Sequence, residues 1–414
     1  MNNRVAVRFV LGLFLIAILV FVFQWWRNAS QDLGALGSAD TAGDIAMIEF
    51  LDEGSRAMIL RPNGEFIESP GYREGARDMD LAWQPDGNRL FFTSDREDRT
   101  FNIFRWNPGR NVVERRSLGS RSQGRISFGP SNVPNANRAA LITAGGFVME
   151  YDAVEAATRQ ALPPTAREIA RDDGNATNQF EMLYRRLGES FRAVRWGKNR
   201  DTIIAVMRRE GGEVLVVQDM KNLDEPPTPI AAGREIEFDV SYETGKVVFT
   251  VQAFQWPDLD RVPEEFVKDG VAVAPFQHFI GFVDATNADK EPMTLIGVSP
   301  NDETCFSSPI IDPTGDSFVC RIGSYDENQG FIPKELATMP VREGAIQSSS
   351  VLFRGAIYEP NWNPNGQSLV FCMRNDSGKR AVFQLNRDGS GLKDLTGDRG
   401  DFSFPTYSPQ RTSG

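Results

Sequence analysis

The chain has 414 residues, 41% of them hydrophobic, which suits a packed core in one large or two ordinary domains and excludes a disordered chain. Its formal net charge of -11 lacks the basic excess with which general nucleic-acid binders neutralise phosphates, so no nucleic-acid partner is expected. One histidine and three cysteines leave no His-rich metal set and no disulfide framework.

Residues 1–8 carry Arg4 and Arg8 and precede an apolar run, Phe9 to Trp26, in which only Gln24 is strongly polar. Eighteen helical residues would span about 27 Å, close to the thickness of a hydrocarbon layer, so residues 9–26 read as a transmembrane signal anchor. The far flank has one Arg, then Asp32, Asp40 and Asp44. That bias keeps residues 1–8 cytoplasmic and puts the rest on the periplasmic or extracellular side. A cleaved signal peptide is the alternative, with Gly37-Ser38-Ala39 as small residues for a protease. Residues 27–43, small and polar, read as a flexible tether reaching about 20 to 25 Å.

From residue 44 to 414 helical periodicity gives way to short runs rich in Val, Ile, Phe and Thr, such as RLFFTS, TIIAVM, KVVFTV and SLVFCM, broken by Gly, Pro, Asn and Asp. The domain is therefore all-β. LAWQPDGNRLFFTSDRED and PNWNPNGQSLVFCMRND are one phrase written twice: an apolar strand, a Pro-Asp/Asn-Gly turn and a second apolar strand. Pro presets φ, Asp or Asn bonds its neighbouring backbone and Gly takes positive φ, so each phrase predicts a hairpin. Related turns occur at Thr244-Gly245 and Pro313-Thr314-Gly315, with weaker ones at 135–137 and 198–201. Spacings of about 44 to 70 residues fit four-stranded units.

DFSFPTYSPQ, from Asp401, matches the start of the phrase but stops before its second strand. The chain from Asp44 begins as if a first strand were missing. One unit assembled from both ends would close a ring without a long exposed edge. The expectation is a β-propeller of about seven four-stranded blades, with six or eight as alternatives. Units would start at the composite and near Asp78, Gly124, Phe191, Glu235, Cys305 and Tyr358.

The phrases above, with QLNRDGSGLKDLTG and SPIIDPTGDSFVCRIGS, resemble the repeats of TolB-like propellers. The resemblance covers about a third of the chain and implies an extracytoplasmic propeller serving as an interaction component of an envelope assembly. No α/β domain precedes the propeller here, which separates the chain from TolB itself.

Catalytic signals are sparse. His278, within QHFIGFV, has neither a Gly-x-Ser-x-Gly elbow nor further histidines to join, and reads as a packed or surface strand residue. Cys305, Cys320 and Cys372 read as buried thiols, with a Cys305–Cys320 disulfide as an alternative. Asp80 and Glu359 stand three residues before Trp83 and Trp362, where first strands approach a propeller axis. They are candidates for a calcium site, against the plainer reading of solvated carboxylates.

Three insertions interrupt the repeat: 163–190, with an amphipathic stretch at Gln179 to Leu187; the segment from Phe254 through 276; and 325–344. Residues 159–210 hold eleven basic and seven acidic residues, which makes Arg185, Arg186 and Arg192 candidates for docking an acidic partner. Trp256 and Phe266 are aromatic anchor candidates, or seals on the side of a blade. The leading expectation is a non-catalytic scaffold for membrane or envelope proteins, without a cofactor. A propeller hydrolase or lyase using carboxylates, and a glycan or small-ligand binder, are the alternatives.

Overall fold

In the computed structural model the repeated phrase forms the hairpin that its residues dictate. Gly87 donates its N–H to Gln84 O (2.8 Å) and Gly366 to Asn363 O (2.8 Å), both at φ 69°. Asp86 and Asn365 each accept from the backbone two residues on (2.9 Å for both), which is the short-range bond that favours these residues in turns. Gly315 closes the same turn onto Asp312 O (3.0 Å), and Gly245 closes one a residue longer onto Ser241 O (2.9 Å).

The structure describes residues 43–409 except 117–122, 129–136, 144–145, 156, 163–190, 199–200, 210, 224, 257–266, 269–270, 273–276, 289, 291–292, 300–301 and 327. The anchor read at 9–26 and the tether through residue 42 lie outside the described residues. Among those described, no helix is long and apolar enough to cross a membrane.

The chain opens with β1 (Ile45–Phe50), β2 (Ser55–Leu60) and β3 (Phe66–Glu68), then β4 (Asp78–Trp83), β5 (Leu90–Ser94), β6 (Asn102–Asn107) and β7 (Val112–Arg115). Next come β8 (Gln123–Phe128), β9 (Arg138–Thr143), β10 (Val148–Asp152) and β11 (Ala157–Leu162), followed by β12 (Phe191–Trp196), β13 (Thr202–Arg209), β14 (Gly212–Asp219) and β15 (Thr228–Val240). After these stand β16 (Lys246–Gln255), the small pair β17 (Val267–Lys268) and β18 (Val271–Ala272), β19 (His278–Asp284) and β20 (Thr294–Ser299). The last group is β21 (Cys305–Ile311), β22 (Ser317–Asp326), β23 (Gly330–Pro340), β24 (Ser350–Arg354), β25 (Tyr358–Trp362), β26 (Ser368–Arg374), β27 (Arg380–Asn386), β28 (Lys393–Asp394) and β29 (Asp401–Tyr407).

Antiparallel pairing gathers these into sheets β4-β5-β6-β7, β8-β9-β10-β11, β21-β22-β23-β24 and β25-β26-β27-β28, and into one sheet made from both chain ends, β29-β1-β2-β3. A seven-stranded sheet, β12-β13-β14-β15-β16-β19-β20, is two four-stranded groups sharing β15. The first part of β15 pairs β14 and most of the remainder pairs β16, with register breaks between Ala232, Arg234 and Glu237. Gly233 sits at that break, where a Cβ would approach Gln252 O to 2.5 Å. The expected unit starts coincide with β4, β8, β12, the second half of β15, β21 and β25 to within a residue or two.

The hydrophobic core lies between successive sheets. Trp83, Leu90, Phe92 and Phe104 pack on Ala46, Ile48, Ala57 and Ile59 of the terminal sheet. Phe91, one residue along and so on the opposite face, packs with Phe128, Leu141 and Tyr151 of the next sheet. The pattern continues to Val370, Cys372 and Val382, which meet Ile45, Met47, Phe402 and Tyr407 and close the circuit. Each fully buried aromatic contributes roughly 1.5–3 kcal/mol relative to exposure, so the alternation within one strand ties a sheet to both neighbours.

One expectation changes. The third insertion is not wholly a loop: Tyr325 and Asp326 end β22 and Gly330–Pro340 form β23, so most of it extends a hairpin, with Tyr325 opposite Phe331. The three cysteines are free and buried, as the reading of buried thiols has it, and the alternative Cys305–Cys320 disulfide does not form.

Candidate functional site

The strands that begin each four-stranded group (β4, β8, β12, β15, β21, β25 and β29) touch one another in sequence, and β29 touches β4. They run the same way, because equivalent positions meet: Trp83 Nε1 donates to Thr406 O and Trp362 Nε1 to Ile310 O, both at 3.2 Å. Five of them carry a bulge with one non-glycine residue in left-handed backbone: Asp80, Glu235, Ser308, Glu359 and Phe404, at φ 47–55°. Such residues cost about 1–2 kcal/mol each, and bulges re-aim side chains.

Carboxylates take up backbone N–H groups along these bulged first strands. Glu237 accepts from the Ser308 N–H and from Ser307 Oγ (2.6 Å), and Glu359 accepts from the Phe404 N–H (2.6 Å). Asp239 receives the Ile311 N–H (2.9 Å). Burial pushes the carboxyls of Asp239 and Glu359 above their ordinary range despite these donors. The half-buried Arg321 donates to Ser307 Oγ (2.7 Å), and the charges of Glu237 and Glu359 act on it.

Asp80 and Glu359 therefore hold internal partners. Asp80 accepts from Thr93 Oγ1 (3.0 Å), and β29 lies between the strands that carry the two acids. Neither belongs to a grouping of three metal-competent side chains among the described residues. Arg192 faces inward, forked onto Glu213 (2.6 and 2.8 Å) and bonded to Ile236 O, rather than offering a free cation. Trp256 is half-buried, edge-on to Phe254 (5.1 Å) against the core. Arg185, Arg186, Phe266 and the amphipathic stretch at 179–187 lie outside the described residues.

The structure brings together a group that the sequence reading missed. His278 opens β19 and is 1% exposed; its Nε2 lies 2.7 Å from Asp302 Oδ1 and 3.1 Å from Cys305 Sγ. Asp302 comes from the turn joining β20 to β21, and Cys305 is the first residue of β21. Tyr325 stands beside the imidazole, with ring centroids 6.4 Å apart, and its hydroxyl reaches Glu235 Oε1 at 3.5 Å. Burial, aided by the charge of Asp302, pushes the Cys305 thiol up to about 12, so at neutral pH it is a thiol and a poor nucleophile. Pairing of β19 with β20 sets His278 opposite Ser299, three residues before Asp302. Closing that hairpin on paper would have exposed the cluster.

The sheet topology and the contacts between sheets define the class: the fold is a β-propeller. No protein-family model matches the sequence, and no curated protein does. Among solved structures the chain is similar to an oligogalacturonate lyase in complex with manganese (TM-score 0.52, 10% identity, covering 85% of this chain and 85% of that one). It is also similar to the β-propeller domain of the Trilobed protease from Pyrococcus furiosus, described as having an open velcro topology (TM-score 0.50, 12% identity, 87% and 96%). TolB from Acinetobacter baumannii overlaps more loosely (TM-score 0.48, 11% identity, 90% and 68%). At these identities the likeness is one of fold.

Proposed function

We propose that the chain is a seven-bladed, TolB-like propeller acting as a non-catalytic interaction module, held to a membrane by residues 9–26 with its blades on the periplasmic or extracellular side. The count takes the five separate four-stranded sheets and splits the seven-stranded one at β15. The TolB-like assignment rests on the repeated phrase and the propeller fold.

One observation carries the interaction reading: the two rims are unlike. In an antiparallel group, the start of the first strand, the end of the second and the start of the third share one rim. The Pro-Asp-Gly turns join first to second strands, so they occupy the other rim together with the third-to-fourth-strand connections, such as those from β14 to β15 and from β23 to β24, all shorter than the two connections that follow. Residues 163–190 run between the end of β11 and the start of β12, and residues 257–277 between β16 and β19. All four of those ends lie on the first rim. Long, non-repeating connections gathered on one rim of a rigid ring are where a recognition surface is built.

The test is purification from native membranes in mild detergent with cross-linking. A defined partner should be recovered with the intact chain, and lost when residues 163–190 are replaced by a short Gly-Ser linker that leaves circular dichroism and melting unchanged. Recovery of the protein alone would overturn the proposal.

A further inference from the structure

The cluster at His278 sets two polar neighbours against one ring nitrogen. Imidazole Nε2 offers a single in-plane position, which holds either a proton to donate or a lone pair to accept. Asp302 Oδ1, an acceptor, stands 2.7 Å from it, and Cys305 Sγ stands 3.1 Å from it. If Nε2 carries the proton, it serves Asp302 Oδ1, and the Cys305 S–H turns to the Asp302 carbonyl (3.4 Å). If it does not, the Cys305 S–H can donate but Asp302 faces a lone pair. The other ring nitrogen, Nδ1, is buried and has no hydrogen-bond partner among the described residues. Three donor atoms of different kinds, nitrogen, oxygen and sulfur, thus converge within 4.8 Å of one another on a side chain that is 1% exposed.

A divalent ion can take all three donors at once, because a lone pair from Nε2, a thiolate and a carboxylate oxygen can all point at it once the imidazole proton sits on Nδ1. Tetrahedral zinc with Zn–N and Zn–O near 2.0–2.2 Å and Zn–S near 2.3 Å sets its ligands roughly 3.3–3.7 Å apart, so the cluster needs shifts of only about an ångström. The donor set suits zinc better than calcium or magnesium, which take oxygen. The scaffold is firm: His278 is held in the β16–β19–β20 ladder, Cys305 in β21, and Asp302 is anchored through its own carbonyl, which accepts the Tyr325 N–H (2.9 Å).

We propose that His278, Asp302 and Cys305 are the ligands of a zinc-class divalent ion, through Nε2, one carboxylate oxygen and the thiolate, with a fourth position open on the rim that bears the long connections. Binding releases the Cys305 thiol proton to solvent. The open position follows from exposure: the Asp302 side chain is half exposed, whereas that of His278 is 2% exposed, so solvent reaches the ion from the Asp302 side. Three protein ligands and one open position leave room for a water or for an anionic or thiol group of a partner. The inference does not depend on the interaction reading and would stand if the protein were purified alone.

The experiment uses the full chain in detergent, stripped with chelator and reloaded with zinc alone or cobalt alone. One equivalent of zinc should survive gel filtration and raise the melting midpoint, and cobalt should give a near-ultraviolet thiolate-to-cobalt charge-transfer band. Cys305→Ser should abolish the band, and Asp302→Asn, at a half-exposed side chain that folding tolerates, should weaken zinc retention by about tenfold or more. A band that persists in Cys305→Ser, equal zinc retention by the parent and Asp302→Asn, or no retained zinc at all would each overturn the site.

Discussion

Arg96 is the best place to test how neighbouring sheets are locked together. Its guanidinium, 4% exposed, donates to Asp78 Oδ2 (2.5 Å), Ser69 Oγ (2.8 Å) and Pro70 O (2.8 Å), and it stacks on Phe92 and Phe104 at 4.8 and 5.4 Å. Asp78 is fully buried and also accepts from the Ala57 N–H (2.9 Å), so the pair bolts β4 to β2 and to the segment after β3. Arg96→Met keeps an apolar stem between the two rings but strands the carboxylate. Breaking a buried pair from one side costs about 3–5 kcal/mol, and the lost ring stacking adds about 1 kcal/mol. Against the typical stability of about 5–15 kcal/mol for a domain, that is roughly a quarter of the total or more. Urea unfolding at neutral pH should show a lower midpoint at unchanged slope, and the double variant Asp78→Asn with Arg96→Met should recover part of the loss. A single-variant loss below about 1 kcal/mol would refute the reasoning, because the carboxylate would then have a partner or solvent access that the structure does not provide.

Deleting residues 401–414 removes β29, and with it Phe402 and Tyr407 from the closing core and the partner of β1; loss of cooperative melting and growth of soluble aggregates by size exclusion are expected. Glu359→Gln should stabilise the fold at pH 7 but not at pH 4. Burial raises this carboxyl's folded pKa above 4.5, so the parent loses stability as pH rises from that value through the folded pKa, and the amide avoids the loss; equal shifts in melting at both pH values would count against it. No thiol should react with a disulfide reagent in the native state, and three should react in denaturant, because burial holds Cys305 and Cys320 up at about 12 and Cys372 higher still. Fast native reaction of any one of them would contradict the packing.

The fold was legible because its information is local and repeated. A Pro-Asp-Gly turn fixes a hairpin within a few residues, and alternation such as Leu90-Phe91-Phe92 states that both faces of the strand are buried, as they are. The composite sheet could be read from the matching halves at Asp44 and Asp401, since a missing first strand and a spare first strand imply each other. The β15 boundary was less legible. Only its second half begins a unit, and a single strand serving two groups leaves no turn to mark the change.

The site failed to show for the opposite reason. His278, Asp302 and Cys305 look unconnected in the sequence because no local spacing relates them; the β19–β20 hairpin and the turn into β21 bring them together. Side-chain partners are hard to read for the same reason: Arg192 looks like a surface cation until β12 is set beside Glu213 of β14, and Asp80 looks free until Thr93 is placed across from Met79. Charge read along a β-chain is a poor guide to free charge, because bulges leave backbone N–H groups that acids such as Glu237 and Glu359 must satisfy. The informative residues are then those whose hydrogen-bonding demands cannot all be met within the fold, and among the described residues the imidazole of His278 fits that description.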